Sequence, residues 1–418
     1  MAELARRIGT RDAVVVGLGA MLGAGVFSAF APAARAAGSG LLIGLAIAAF
    51  VAYCNAAASA QLAAEYPASG GTYVYGRERL GAWWGFAAGW GFVIGKTASC
   101  AAMALTFATY AVPDDAPTWL RRGLAAAVVA LLAALNYRGI TRTVALARVL
   151  LAGTLTVLAV VVVALWTSGD ADVARIDHLT DKGAYGILQS AALLFFAFAG
   201  YARVATMGEE VRDPRRTIPR AILVALLITV LVYLAVGIST LAAAGPDLLA
   251  ASDAPLAASV HAVGFGGLAP VVRVGAALAS GGALLSLVAG VGRTALAMAR
   301  NGDLPRTLAA VHPRFQVPHH AEVALGAAVC VLVLTTDLRN AIGFSSFGVL
   351  VYYAIANAAA FTQDERQRRY PRAMQAAGAL GCVLLVACLP WTAVLAGLIV
   401  FAVGLAGRLA VLTRTRHP

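Results

Sequence analysis

The sequence predicts an all-α polytopic membrane protein. Of its 418 residues, 61% are hydrophobic and 12% are charged, whereas soluble proteins have about 45–50% and about 25%. The apolar residues form blocks separated by short charged patches, and a helix needs about 20 apolar residues to cross a bilayer. The net charge of +12 would suggest nucleic acid binding in a soluble chain. Here the cations lie between the apolar blocks, so we expect the lipid bilayer and no nucleic acid as partner.

Twelve apolar segments qualify as membrane-spanning helices. The fourth and ninth are short, and the last two come from one uncharged stretch that we divide at Pro390 and Trp391. The segments cover residues 13–34, 41–64, 82–111, 123–137, 144–167, 184–207, 218–243, 268–298, 321–336, 340–361, 373–389 and 391–411.

The distribution of cations predicts the orientation. If the N-terminus is cytoplasmic, the inside segments hold 22 arginines, among them Arg6, Arg7, Arg142 and Arg416, and the outside segments hold seven lysines and arginines. The outside segments also collect acids, Asp114 among them. Cytoplasmic loops are enriched in Lys and Arg. We therefore expect a multi-pass protein of the cytoplasmic (inner) membrane with both termini in the cytoplasm.

The cysteines indicate no disulfide or metal centre. All five lie in apolar segments and form no CxxC pair, so neither a disulfide framework nor a zinc site is expected. They are Cys54, Cys100, Cys330, Cys382 and Cys388.

Two predicted spans contain an irregular segment near mid-membrane. The first span has four glycines in nine residues, from Gly17 to Gly25, and each costs about 1 kcal/mol of helix propensity. The sixth has Gly200 close to Arg203. Close helix packing is the alternative explanation for such glycines, and it suits the third span, with its glycines at 81, 85, 89, 91 and 95.

Paired interruptions favour a transporter. Matching breaks in the first helices of two five-helix halves are typical of inverted-repeat transporters, and unwound backbone in a membrane is tolerated only beside a polar cavity. The amides at the start of a half-helix can bind a carboxylate, and free carbonyls can bind an ammonium or a metal cation. A small zwitterion satisfies both.

Four sequence motifs resemble those of a known permease family. They are GAMLGAGVF at 19–27, EYPASGGTY at 65–73, FFAFAG at 195–200 followed by EEVRDPRRTIP at 209–219, and AMARNGDLP at 297–305. With them the chain resembles the amino acid–polyamine–organocation (APC) superfamily, close to its amino-acid permease branches.

The resemblance implies a LeuT-like fold of five plus five helices in an inverted repeat, with the first and sixth helices broken and two additional C-terminal helices. The implied divisions are a cytoplasmic N-terminus at 1–12, a first repeat at 13–167, a second repeat at 184–361, a C-terminal helix pair at 373–411 and a cytoplasmic tail at 412–418.

The resemblance also implies a substrate site at the two breaks. Phe198 or Tyr201 would be its aromatic gate. The implied binding residues are Gly23, Ala24 and Gly25, whose amides would bind a carboxylate, and Ala197, Phe198, Ala199 and Gly200 in the second break, where the carbonyls of the first three would bind an amino group.

Members of the family use protons, sodium or exchange. One proton-coupled branch carries a lysine in its fifth helix, and the corresponding position here is about Thr154, so that lysine is absent. A sodium site would need hydroxyls on the eighth helix near the first break. The sodium candidates are Gly19, Leu22, Ser280 and Ser286.

Two cations inside predicted spans are further coupling candidates. Lys96 lies in the middle of the third span, where burial disfavours the charged form of a lysine, so it could take up and release a proton. A lysine that only reaches the interface is the alternative. Arg203 keeps its charge and could bind a substrate carboxylate, line the pathway or repel Lys96. A simple pairing with Glu209 is equally open.

The sequence thus predicts a secondary transporter of small neutral or anionic amino acids, working by alternating access with proton coupling. An amino acid/amine exchanger and a sodium-coupled symporter of the same fold are the alternatives. No acid lies well inside a span, which argues against a polyamine carrier. The absence of an intramembrane acid or histidine cluster argues against an enzyme, and no cofactor is expected beyond the proton or Na⁺. The substrate side chain and the oligomeric state stay open.

Overall fold

The computed structural model describes residues 8–67, 70–113, 115–138, 144–207 and 210–414. Apart from an isolated bridge between Ile8 and Val211, the regular structure in these ranges is helical. The α-helices are α1 (Thr10–Met21), α2 (Ala24–Ser28), α3 (Phe30–Ala37), α4 (Leu41–Glu65), α5 (Thr72–Leu80), α6 (Ala82–Ala111), α7 (Thr118–Tyr137), α8 (Val144–Thr167), α9 (Gly183–Phe198), α10 (Ala202–Ala205), α11 (Pro214–Ala251), α12 (Pro255–Ala262), α13 (Ala269–Arg300), α14 (His319–Thr335), α15 (Leu338–Phe361), α16 (Arg372–Cys388) and α17 (Trp391–Arg414).

Several predictions concern residues outside these ranges. The charges Arg6, Arg7, Asp114, Arg142, Glu209 and Arg416 lie there, as do Ala68 and Ser69 of the second motif and the last four residues of the predicted tail.

The helices confirm a polytopic membrane protein. Ten segments of the described chain are long and apolar enough to cross a bilayer. Helices α14 and α16 are apolar but only 17 residues long, and the count of twelve spans stays a prediction. Helix α6 has the predicted bounds, whereas α7 begins five residues before the expected 123, because Trp119 and two arginines extend its N-terminal end.

Tryptophans mark the helix ends. Five of the six are exposed, and each lies at or near a terminus of a long helix. Amphipathic indole rings prefer the level of the lipid head groups. They are Trp83 and Trp84 at the start of α6, Trp119 at the start of α7, Trp166 at the end of α8 and Trp391 at the start of α17.

Helix α5 connects α4 to α6 and was not expected from the sequence. It begins after Gly71 (φ 56°) and ends at Gly81 (φ 103°). Both angles lie in the region that favours glycine, so the two glycines set the sharp bends at its ends. Tyr73 and Tyr75 are buried and attach α5 to the helices beneath it.

The third-span glycines pack helices together, as the alternative explanation proposed. Helix α6 lies between α13 and α15. A Cβ at Gly348 of α15 would lie 2.6 Å from the Gly91 carbonyl oxygen and 2.7 Å from the Gly95 Cα. Small residues let helix backbones approach in lipid, where little else drives association, and α6 therefore occupies the centre of the core.

Candidate functional site

The two irregular segments interrupt their helices. Helix α1 ends at Met21, and Leu22 (φ −79°, ψ 36°) and Gly23 (φ −87°, ψ −134°) are non-helical before α2 begins. Helix α9 ends at Phe198 and is followed by a 3₁₀ turn at Ala199–Tyr201. Each interruption releases backbone groups from the helical ladder, and these groups need other partners.

Glycines hold the two breaks against each other. A Cβ at Gly200 would collide with the backbone of Ala20 and Met21, and one at Gly25 would lie 2.6 Å from the Cβ of Ala197. On the other side, a Cβ at Gly23 would lie 2.6 Å from the Cβ of Ala283 in α13. The first break is therefore packed between the second break and α13.

Side chains from other helices bind the released carbonyls. The Tyr233 hydroxyl lies 2.5 Å from the carbonyl oxygen of Met21 and 2.9 Å from that of Ala197. The Lys96 Nζ donates to the carbonyl of Ala199 at 2.8 Å, and the Tyr353 hydroxyl lies 3.4 Å from the same oxygen. The amino group of Lys96 thus lies where the resemblance implies the amino group of a substrate.

A small cavity lies beside this carbonyl, between α1, α6, α13 and the second break. Its lining includes four predicted residues, Lys96, Gly200, Arg203 and Ser286, together with Ser99 and Thr206. The space open to water is about 30 Å³, which is room for about two water molecules. Little of this space is unfilled in this conformation, and several lining residues, Ala20, Arg203 and Ser286 among them, are partly exposed.

The described lining of the cavity carries positive charge. Lys96 is 4% exposed, and the Nε of Arg203 is buried without a hydrogen-bond partner in the described chain. Another guanidinium nitrogen of Arg203 contacts Thr206 Oγ1 at 3.3 Å. The nearby Glu210 carboxylate is 2.5 Å from Arg293, and none of the described lining residues is acidic.

The other predicted site residues do not line the cavity. Phe198 packs edge-on against Tyr233 at 5.1 Å between ring centroids, and Tyr201 stacks on Tyr353 at 4.9 Å. Thr154 donates to the carbonyl of Leu150 one turn back in α8.

The remaining assignments also stay predictions. Ser280 donates to the carbonyl of Ala276 at 2.5 Å, so its hydroxyl is used within α13. Gly23, Ala24 and Gly25 are buried outside the cavity lining.

Sequence reasoning missed Tyr233 and Tyr353. Tyr233 is the one hydroxyl-bearing aromatic residue in the apolar run 218–243. A buried phenol usually binds a partner through its hydroxyl, and that was the available signal. Its partners, 212 and 36 residues away, could not be read from the chain.

A second charged cluster lies at the predicted cytoplasmic end of α13. Asp303, 5% exposed, accepts from Tyr73 at 2.8 Å and pairs with Arg77 at 3.3 Å and with Arg408 at 3.0 Å. Burial and the Asp303 carboxylate raise the pKa of the Tyr73 hydroxyl, which therefore remains a donor. This cluster joins α5, the segment after α13 and α17.

Comparisons with known proteins agree with this architecture. A family model described as amino acid permease matches residues 8–411. An uncharacterized transporter of Mycobacterium tuberculosis is 59% identical over 404 residues, which are 97% of this chain and 91% of that protein. The branched-chain amino acid permease BcaP of Bacillus subtilis is 25% identical over 96% of this chain and 92% of its own. Human cationic amino acid transporter 4 is 27% identical over 84% of this chain and 58% of its own. With the family model matching nearly its whole length, the chain belongs to the amino acid permease family, whose members are membrane transporters and not enzymes.

Proposed function

We propose that the protein is a secondary transporter that moves a small neutral or anionic amino acid across the cytoplasmic membrane by alternating access. Its scaffold is LeuT-like, with inverted repeats at 13–167 and 184–361 and a further helix pair at 373–411. Both termini, 1–12 and 412–418, face the cytoplasm. The excess of arginine in the inside segments supports this orientation.

One observation carries the proposal. The two broken helices lie side by side, and the carbonyl that the second break releases at Ala199 is bound by the ammonium of Lys96 beside a small cavity. An ammonium bound to a free carbonyl at a helix break is the interaction that an amino acid would make. We therefore interpret Lys96 as an internal occupant that a substrate replaces.

The proposed substrate lies across both breaks. Its carboxylate is bound by the amides of Gly23, Ala24 and Gly25, where the start of a half-helix favours negative charge. Its amino group is bound by the carbonyls of Ala197, Phe198 and Ala199, next to Gly200. Phe198 and Tyr201, on the same break, form the gate. Entry of a substrate requires these tightly packed segments to separate.

The cavity charges bear on the choice of substrate. Some relatives are named as carriers of cationic amino acids, and one as a carrier of branched-chain amino acids. Lys96 and Arg203 both line the cavity and would repel a cationic side chain. This argues for a neutral or anionic substrate here.

We propose the proton as the coupling ion and Lys96 as its carrier. Among the described residues that line the cavity, Lys96 and Arg203 are the charged ones, and a guanidinium does not release its proton. When a substrate displaces Lys96 from Ala199, the ammonium leaves its carbonyl partner for a different environment, so the free energy of its charged form changes. The protonation of Lys96 is thereby linked to substrate binding.

Transport by the purified protein in proteoliposomes tests this function. Radiolabelled neutral, acidic and basic amino acids are offered under an imposed pH gradient, under a sodium gradient, and with vesicles preloaded with amino acid or its decarboxylated amine. We expect uptake that follows the pH gradient. Dependence on sodium or on a preloaded partner would identify the symporter or exchanger instead, and no transport of any amino acid would refute the proposal.

A further inference from the structure

The described lining of the cavity beside the second break is electropositive. Lys96 and Arg203 both line it, and none of its described lining residues is acidic. Among the described residues, the carboxylate that acts on Arg203 is that of Glu210, which is already paired with Arg293 at 2.5 Å. Two cations that share a partly dehydrated cavity repel each other, so the described lining favours an anion.

Arg203 can also donate a further hydrogen bond. Its Nε is buried and has no hydrogen-bond partner in the described chain. The hydrogen bond that its guanidinium does make, from Nη1 to Thr206 Oγ1, is long at 3.3 Å. A guanidinium binds a carboxylate through two parallel hydrogen bonds. Lys96 offers a point charge on a flexible side chain. It donates to the Ala199 carbonyl at 2.8 Å and contacts no carboxylate among the described residues.

We propose that this cavity is a second carboxylate site, formed by Lys96 and Arg203, and that the preferred substrates are acidic amino acids. The proposal rests on the function proposed above and adds the substrate class. The α-carboxylate binds at the first break and the amino group takes the Ala199 carbonyl. Lys96, displaced from that carbonyl, pairs with the side-chain carboxylate together with Arg203.

The small volume of the cavity is consistent with a substrate that binds only when Lys96 leaves the Ala199 carbonyl. It has room for about two water molecules, so a side-chain carboxylate enters only if Lys96 moves. The amino group of the same substrate removes Lys96 from Ala199. A neutral amino acid could displace Lys96 but would bring neither cation a negative charge, and the described lining supplies none.

Equilibrium binding to the full-length protein in detergent tests the substrate class. The probes are L-aspartate and L-glutamate, their uncharged isosteres L-asparagine and L-glutamine, and the cation L-ornithine. We expect each acid to bind about tenfold or more tightly than its amide, since a charged hydrogen bond is exchanged for a neutral one. Amides or ornithine that bind as tightly as the acids would overturn the acidic class and leave the proposed transport of amino acids standing. If no amino acid of any charge binds, the proposed function itself fails.

Variants test the residues. Arg203→Gln should reduce the affinity for aspartate and glutamate about tenfold but should not reduce that for asparagine and glutamine, because it removes a cation that these ligands leave unpaired. Arg203→Lys, which restores the charge, should recover part of the preference. The matched control is Arg216→Gln, at an exposed arginine, and gel filtration checks that each variant is folded. An acid preference in Arg203→Gln equal to that of the unmodified protein would refute the role of Arg203.

Discussion

At the scale of single residues, the centre of this protein is organised by side chains that bind carbonyls released from broken helices. Tyr233 binds those of Met21 and Ala197, and Lys96 binds that of Ala199. Each bond satisfies a polar group that would otherwise be buried without a partner, at a cost of about 1–3 kcal/mol. The carbonyls of Ala197 and Ala199 are among those that we propose for the amino group of a substrate, so these hydrogen bonds are contacts that a bound substrate would replace.

Lys96 provides the first prediction. Lys96→Met retains an unbranched side chain but cannot hold a proton, so uptake driven by a pH gradient should fall about tenfold or more, while exchange of substrate across the membrane continues. Uptake and counterflow in proteoliposomes measure the two activities.

The chain offers a matched control, since its only other lysine is Lys182, which is exposed. Lys182→Met should behave as the unmodified protein. A pH response in Lys96→Met equal to that of Lys182→Met would exclude Lys96 as the proton carrier.

At the scale of elements, the breaks depend on glycines that leave no room for a methyl group. Gly200→Ala would place a Cβ against the Ala20 and Met21 backbone, which cannot yield as a flexible side chain can. We expect a loss of stability of about 1–3 kcal/mol, which is typical of overpacking, and a marked loss of uptake. Thermal unfolding in detergent and proteoliposome uptake measure the two effects.

Gly123 in α7 is the control for this substitution. A Cβ there meets nothing within 4 Å, and alanine favours a helix over glycine. Gly123→Ala should therefore retain its melting temperature and its activity. If Gly200→Ala were equally harmless, the contact between the two breaks would not be as close as described.

The second feature at the scale of elements is the ion-pair cluster around Asp303. Asp303 and Arg408 are each 5% exposed and lie 3.0 Å apart, and Arg408 also packs over the rings of Trp83 and Phe86. Breaking a buried pair by removing one partner costs about 3–5 kcal/mol, because the other charge stays buried. Asp303→Asn and Arg408→Met should each lower the melting temperature strongly.

A double variant tests whether the charges of Asp303 and Arg408 interact. Asp303→Asn combined with Arg408→Met removes both charges, so it should be less destabilised than the sum of the single variants. Asp170→Asn, at an exposed acid, serves as the control. Strictly additive losses in melting temperature would mean that the pair is not coupled.

At the scale of the whole molecule, the charge asymmetry predicts which face is cytoplasmic. A cysteine at Asp177, between α8 and α9, should react with a membrane-impermeant maleimide in intact cells. A cysteine at Arg366, between α15 and α16, should react only after the cells are permeabilised. Both positions are exposed, and the unmodified protein, with four of its five cysteines buried, measures the background. The reverse labelling pattern would invert the proposed orientation.

The sequence alone determined the features that depend on neighbouring residues. The bounds of α6 and the position of the first break follow from local apolarity and from glycines, because a helix in lipid must satisfy its own backbone wherever it can. The comparisons confirmed the family that the motifs indicated. The sequence also singled out Lys96 and Arg203, since a charge within an apolar run is costly and rare.

Only the tertiary structure decided which groups meet. Lys96 and Ala199 are 103 residues apart, and Met21 and Tyr233 are 212 apart. No periodicity encodes such pairs, because they depend on how helices rotate and cross. The packing also placed Lys96 and Arg203 in one cavity without an acid among its described lining residues, and it brought Asp303 to Arg408. The proposed substrate preference follows from the positions of these side chains, which are set only when the helices pack together.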